Sequence, residues 1–395
     1  MTMLIPAPAT AARQGGRDVL AAALRDSRAR TLALQDAYVA ALGAALVVPY
    51  STQLNPPLWE AGHIGWFQDY WIARNLQRDL GSAADPQHAR PPGRLADADR
   101  LYNSSDVEHA TRWQLPLPDL AATRAYLTAG LDDTLNLLAS APQTDAGLYF
   151  YRLVLFHEDM HAEAAIYMAQ ALQIPLPAAL LREAPALPEN QTLALPDQIW
   201  TLGFSETLFS KTPFSEPGFA FDNELAAHPV EVAAFEIDSQ VVSWQRYLAC
   251  VEAGAATAPR YLRQQVGIWQ KQYFGIWCEL NLDQPAVHLT WHEAAAWCRW
   301  AGRRLPSEAE WEIAALTQPE FNWGGVWEWT ASRFLPYPGF VAHAYRDYSA
   351  PWFGDRYVLR GASSATAPRM AHPRYRNFFP PERNDVHNGF RTCAL

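Results

Sequence analysis

The chain has 395 residues and a net charge of −10, with 49% apolar and 18% charged residues. That length carries two domains, the apolar share excludes a disordered chain, and the acidic balance argues against a nucleic-acid partner, whose phosphates call for a basic face. No apolar run approaches the roughly 18 residues of a membrane span. The scattered Cys250, Cys278, Cys298 and Cys393 suit a reducing cytoplasm better than a disulfide framework, and no secretory leader is visible.

Residues 1–16 read as a loose leader. An Ala- and Leu-rich amphipathic helix is expected over 17–46, broken by Pro49, Pro56 and Pro57. A second helix follows over 58–80. Its Trp59, His63, Trp66, Phe67, Tyr70 and Trp71 recur three and four apart, so one face is aromatic and carries one histidine. Residues 81–117, rich in Pro, Gly, Asp and Ser, read as a long functional loop. Helices are expected over 118–138 and 149–172. Four helices with one extended crossover suggest a bundle, whose metal sites lie between facing helices.

The fourth helix contains His157-Glu158-Asp159-Met160-His161 and, two residues on, Glu163. Residues four apart share a helix face, so His157 and His161 aim at one point and can hold a divalent transition metal. His63 is the natural third ligand. Three imidazoles leave coordination positions open, as a catalytic metal requires. The same letters spell the His-Glu-x-x-His zinc-hydrolase pattern with Glu158 as general base, and spacing alone leaves both readings open. Glu158 and Glu163 are otherwise read as groups that orient the imidazoles or as solvated side chains.

Prolines 175, 177, 185, 188 and 196 mark a linker over 174–196, which separates a helical domain (17–173) from a second domain (197–395). Strand-like runs at 198–202, 230–237 and 357–359 alternate with helical patches at 243–253 and 292–301. Ser307 and Glu310 form a capping box that opens another helix. The second half is thus α+β with much irregular structure.

A series in this half runs Val287-His288-Leu289-Thr290-Trp291-His292-Glu293-Ala294, Gly302-Arg303-Arg304-Leu305-Pro306-Ser307-Glu308, Gly325-Val326-Trp327-Glu328-Trp329-Thr330, Leu359-Arg360-Gly361 and Asn388-Gly389-Phe390-Arg391. It resembles the formylglycine-generating-enzyme fold, a relative of C-type lectins. Those enzymes bind copper through a cysteine pair near the C-terminus. The matching 372–388 has no cysteine, so that activity is not expected.

The first half resembles the DinB-type four-helix bundle, and the two together resemble the ergothioneine-biosynthesis sulfoxide synthases. That resemblance implies one non-haem Fe(II) on His63, His157 and His161, with O2 as co-substrate and hercynine beside the metal. The family's Tyr-x-x-Tyr-Ser motif matches Tyr345 to Ser349, which implies that Tyr345 is the catalytic proton donor or redox partner.

Departures from the family pattern point to the donor. Met160 stands where many members have a hercynine-contacting Gln. His109 and Arg112 stand where members using γ-glutamylcysteine have an Arg pair, and Asn377-Phe378-Phe379 stands for Asn-Trp-Asp. A site that has lost an Arg and an Asp suits a less charged donor, because an unpaired buried charge is costly. The pattern, with Tyr102-Asn103-Ser104-Ser105 and Trp113, is most similar to the selenoneine-synthase branch. That branch joins hercynine to a selenosugar, 1-seleno-N-acetylglucosamine, giving a hercynyl selenoxide. A sulfoxide synthase using cysteine or another thiol and a non-catalytic binding module are the other readings.

Overall fold

In the computed structural model, residues 5–182, 184, 186–205 and 218–395 are described; Pro185 of the expected linker lies outside them. The first half is helical, with α1 (Ala7–Gln14), α2 (Arg17–Leu42), α3 (Pro57–Gln68), the short α4 (Ala98–Tyr102), α5 (Leu120–Leu138) and α6 (Asp145–Leu172). The loose leader is a misreading. From Ala7 onward this stretch is helix α1, and Arg13, 2% exposed, forms a two-pronged ion pair with Glu224 of the second half at 2.9 and 2.8 Å.

Helix α2 stops at Leu42, short of the expected 46, because Gly43 takes φ 76° at its end. Helix α3 ends at Gln68 and runs on through one π-type turn, Asp69–Ala73. Helix α6 starts four residues before the expected 149, where the Thr144 hydroxyl accepts from the Gly147 N–H.

The aromatic face of α3 points inward, with Trp59, Trp66, Phe67 and Trp71 all at most 5% exposed. Burying a Phe-sized side chain contributes roughly 1.5–3 kcal/mol, so this face anchors the bundle. Gly62 lets α4 close onto it: a Cβ there would lie 2.2 Å from the Tyr102 ring.

Among the described residues, the second half holds short strands in four small sheets. The first pairs β1 (Thr192–Leu195), β4 (Phe235–Asp238), β13 (Cys393–Ala394) and β8 (Arg303–Arg304) in that order. The second runs β11 (Asn377–Phe379), β10 (Tyr357–Gly361), β9 (Trp327–Arg333) and β12 (Asn388–Phe390). Strand β2 (Gln198–Leu202) pairs β3 (His228–Val232), and β5 (Leu262–Gln265), β6 (Ile268–Tyr273) and β7 (Ile276–Glu279) form a meander. The single strand expected over 230–237 is two strands, because β3 pairs with β2 while β4 joins the sheet of β1. Strand β1 lies inside the stretch read as linker.

Helices α7 (Trp244–Glu252), α8 (Trp291–Trp300) and α9 (Glu308–Thr317) pack on these sheets, the last two opened by capping boxes at Thr290 and Ser307. The layout is a helical domain followed by an α+β domain with much irregular structure, as the sequence leads one to expect.

The halves are bolted together through α6. The Glu163 carboxylate accepts from Trp327 Nε1 (2.6 Å), Ser363 Oγ (3.0 Å) and Thr366 Oγ1 (2.9 Å). Asp159 pairs with Arg369 at 2.6 Å. No helix among the described residues is long and apolar enough to cross a membrane.

Candidate metal centre

Helices α3 and α6 bring the three histidines together. The candidate ligand atoms of His63, His157 and His161 all lie within 4.8 Å of one another, and His157 Nε2 sits 3.2 Å from both His63 Nε2 and His161 Nε2. The outer edges of two rings are held from behind. His63 Nδ1–H donates to the Tyr102 carbonyl at 2.8 Å, and His161 Nδ1–H donates to the Glu60 carboxylate. Protons so committed leave the Nε2 lone pairs aimed inward, the tautomer a metal needs. The third ring, His157, is fixed by stacking on Phe67, 3.5 Å between centroids and 4° from parallel. Trp59 stacks on His63 at 4.8 Å.

Burial, with help from the neighbouring His161, holds His63 down to about 3 and His157 well below the usual histidine range, so both present neutral imidazoles. A donor set of three imidazoles, converging and braced, fits a divalent transition metal.

Neither glutamate of the ligand helix plays the part expected of it. Glu158 turns to α2 and pairs with Arg28 at 2.7 Å, which also removes it as a base beside the metal. Glu163 serves the joint between halves. The carboxylate that steadies an imidazole is Glu60, which the sequence reading overlooked. Its one signal was being the sole acid within a turn of His63 on the aromatic helix.

Tyr345 arrives from the second half. Its half-buried ring lies 4.8 Å from that of Phe67 and 6.1 Å from that of His157, and burial raises its phenol well above the ordinary value. It borders a groove open to solvent, with a volume of about 360 Å³, walled also by Trp66, Trp71, Asn103, Asp106 and Asp347. Asn103 donates to Asp106 at 2.6 Å, and Ser105 donates to Asp347 across the two halves. Met160, between His157 and His161 of α6, accepts through sulfur from the Tyr375 hydroxyl at 3.5 Å.

The other expected site residues have different partners. His109 bonds the Leu54 carbonyl at 2.9 Å and meets the rings of Tyr50 and Trp113. Arg112 lies 4.0 Å over Trp59, donates to Asn55 at 2.8 Å and ties down the carbonyls of Ser104 and Val107. Asn55 in turn donates to Glu60, so Arg112 braces the histidine cluster from outside. On β11, the Asn377 side chain accepts from the Phe378 N–H at 2.9 Å. Phe378 stacks on Phe334 at 4.0 Å, and Phe379 meets Tyr167 of α6 at 6.4 Å. These three do not wall the groove.

The model of the sulfatase-modifying factor enzyme 1-like domain matches residues 183–325 and 322–394. The hercynine oxygenase of Mycolicibacterium smegmatis is 31% identical, with 95% of this chain and 99% of that protein aligned. The hercynine oxygenase of Mycobacterium tuberculosis is 30% identical over 95% of this chain and 98% of its own length. A formylglycine-generating enzyme of Streptomyces coelicolor is 29% identical over 39% of this chain and 58% of that protein.

Proposed function

Because the chain belongs to the hercynine oxygenase family of ergothioneine-type sulfoxide synthases, we propose that it joins hercynine to a selenosugar in an O2-dependent reaction, with Fe(II) held by His63, His157 and His161. The observation that carries this reading is the convergence of three inward Nε2 atoms beside a groove that Tyr345 borders. In the overall change the imidazole ring C–H and the donor Se–H bonds break, and C–Se and Se=O bonds form. O2 takes four electrons and ends as the selenoxide oxygen and one water. Bound iron would supply the means of activating O2 and of holding the selenium donor beside hercynine.

The protein's own groups would orient the partners and move the proton. The trimethylammonium of hercynine suits the aromatic wall of the groove where Trp66 and Tyr345 stand, since a quaternary cation is attracted by an aromatic quadrupole. The Tyr345 hydroxyl would give its proton to the reduced oxygen and recover it from solvent through the groove. Its raised pKa keeps that proton in place until it is needed.

A sugar as donor is supported by the chemistry of the wall. Asn103, Ser104, Ser105, Asp106 and Asp347 offer amide, hydroxyl and carboxylate groups to hydroxyls, beside an aromatic platform. Arg112, the cation retained from the pattern for an amino-acid thiol, is spent on Asn55, Ser104 and Val107.

The deciding experiment loads the protein with Fe(II) without oxygen. Hercynine and one donor at a time are then added, air is admitted, and the product is weighed by mass spectrometry. The hercynyl selenoxide from 1-seleno-N-acetylglucosamine, with no product from γ-glutamylcysteine or cysteine, is the expected result. Turnover of a thiol alone reassigns the chain to sulfoxide synthesis.

A further inference from the structure

We propose that Asp222 is a positioning residue, whose carboxylate staples shut the turn that presents Tyr345 to the metal centre; this rests on the reading of Tyr345 given above. The turn starts at His343 and ends at Ser349, and both ends meet the same side chain. The His343 N–H donates to Asp222 Oδ2 at 3.3 Å, and the Ser349 hydroxyl donates to Asp222 Oδ1. Tyr345 lies between the two, followed by a 3-10 turn, Arg346–Tyr348.

Two neighbours fasten the same segment. Phe221 stacks on Tyr348 at 4.3 Å, and the His343 ring nitrogen Nδ1 lies 2.9 Å from the Tyr149 hydroxyl. Tyr149 stands eight residues before His157 on α6, so the turn is referenced to the helix that carries two of the ligands.

Asp222 is an unusual residue to bury. It is 2% exposed and forms no ion pair among the described residues. The nearby guanidinium of Arg13 is given to Glu224. A buried carboxylate without a cation is costly, so its retention points to a task that only an acceptor with two oxygens performs. The groups that face it are His343, Ser349, the Asn223 amide, Glu224 with its Arg13, and the phenols of Tyr149, Tyr345 and Tyr348. Burial pushes the Asp222 carboxyl up to about 6, while the Ser349, His343 and Asn223 hydrogen bonds pull it back. Both oxygens therefore accept at neutral pH, and one acceptor position is lost to a proton as the pH falls through that value.

The test measures coupling, the moles of joined product per mole of O2 consumed, in full-length Fe(II)-loaded protein. Asp222→Ala is expected to lower coupling about tenfold, as misplacing a reacting group by about an ångström does. Iron stoichiometry and the KM for hercynine should hold. Adding Asp222→Ala to Tyr345→Phe should cause no further loss, and hydrogen–deuterium exchange should rise across 343–349. Asp222→Asn keeps one acceptor oxygen and should recover part of the coupling. A fall in coupling below about pH 6 is expected of the wild-type protein and should be absent from Asp222→Asn.

Wild-type coupling in Asp222→Ala, or losses from the two substitutions that simply multiply, overturns the proposal while leaving Tyr345 in the chemistry. An unchanged Tyr345→Phe enzyme removes Tyr345 itself, and the proposal with it. Should Asp222→Ala fail to fold, the pH profiles of the wild type and of Asp222→Asn decide the matter: identical profiles overturn the proposal.

Discussion

His161 is held from behind by Glu60, and that contact sets how well the ring can serve a metal. Glu60→Gln keeps the size and removes the charge, so Fe(II) affinity should drop about 10–100-fold, read by anaerobic titration. His157→Ala should abolish iron binding and turnover together; activity that survived it would break the ligand assignment. Tyr345→Phe should leave iron binding intact and divert O2 consumption from the joined product to side oxidation, seen as a changed product ratio by mass spectrometry. His157 and His161 were legible because a spacing of four on a helix is a local rule, and His63, on another helix, through the aromatic face it shares and the family resemblance. Glu60 was not, because its partner lies on another helix and the pairing exists only after α3 and α6 pack. Arg112, expected to line the donor pocket, lies over Trp59 and donates to Asn55 once the loop has folded.

At the level of elements, α3 is shaped as much by what it lacks as by what it buries. Gly62→Ala would place a methyl 2.2 Å from the Tyr102 ring, whose carbonyl steadies His63. Overpacking of this kind costs about 1–3 kcal/mol, so a lowered melting temperature should come with weaker iron binding. A substitution equally deep but remote from the metal should lower only the first. Periodicity located the long helices, and the Ser307 capping box gave the start of α9 to the residue. It failed where the cause was not periodic. The end of α2 is set by one glycine, and the break between β3 and β4 by strands that belong to different sheets. Helix α1 was missed because its buried face is only two small residues and a cation, Ala9, Ala12 and Arg13, and the Arg13 partner lies far along the chain.

For the whole molecule, the joint between halves is buried and mixes aromatic contacts with polar clasps, and the groove lies across it. Glu163→Ala would strand the Trp327, Ser363 and Thr366 donors, at a cost of about 1–3 kcal/mol for a buried group left unpaired. Denaturant unfolding should register that loss. Because Tyr345 comes to the histidine cluster from the second half, coupling should fall further than iron affinity does. The clasp between Arg13 and Glu224 bears on biosynthesis as well. On the ribosome α1 emerges early, yet its acidic partner is synthesised 211 residues later. The nascent amino-terminal segment must therefore hold a solvated guanidinium in reserve until the distal half has been translated, which makes its docking a late step in the birth of the protein.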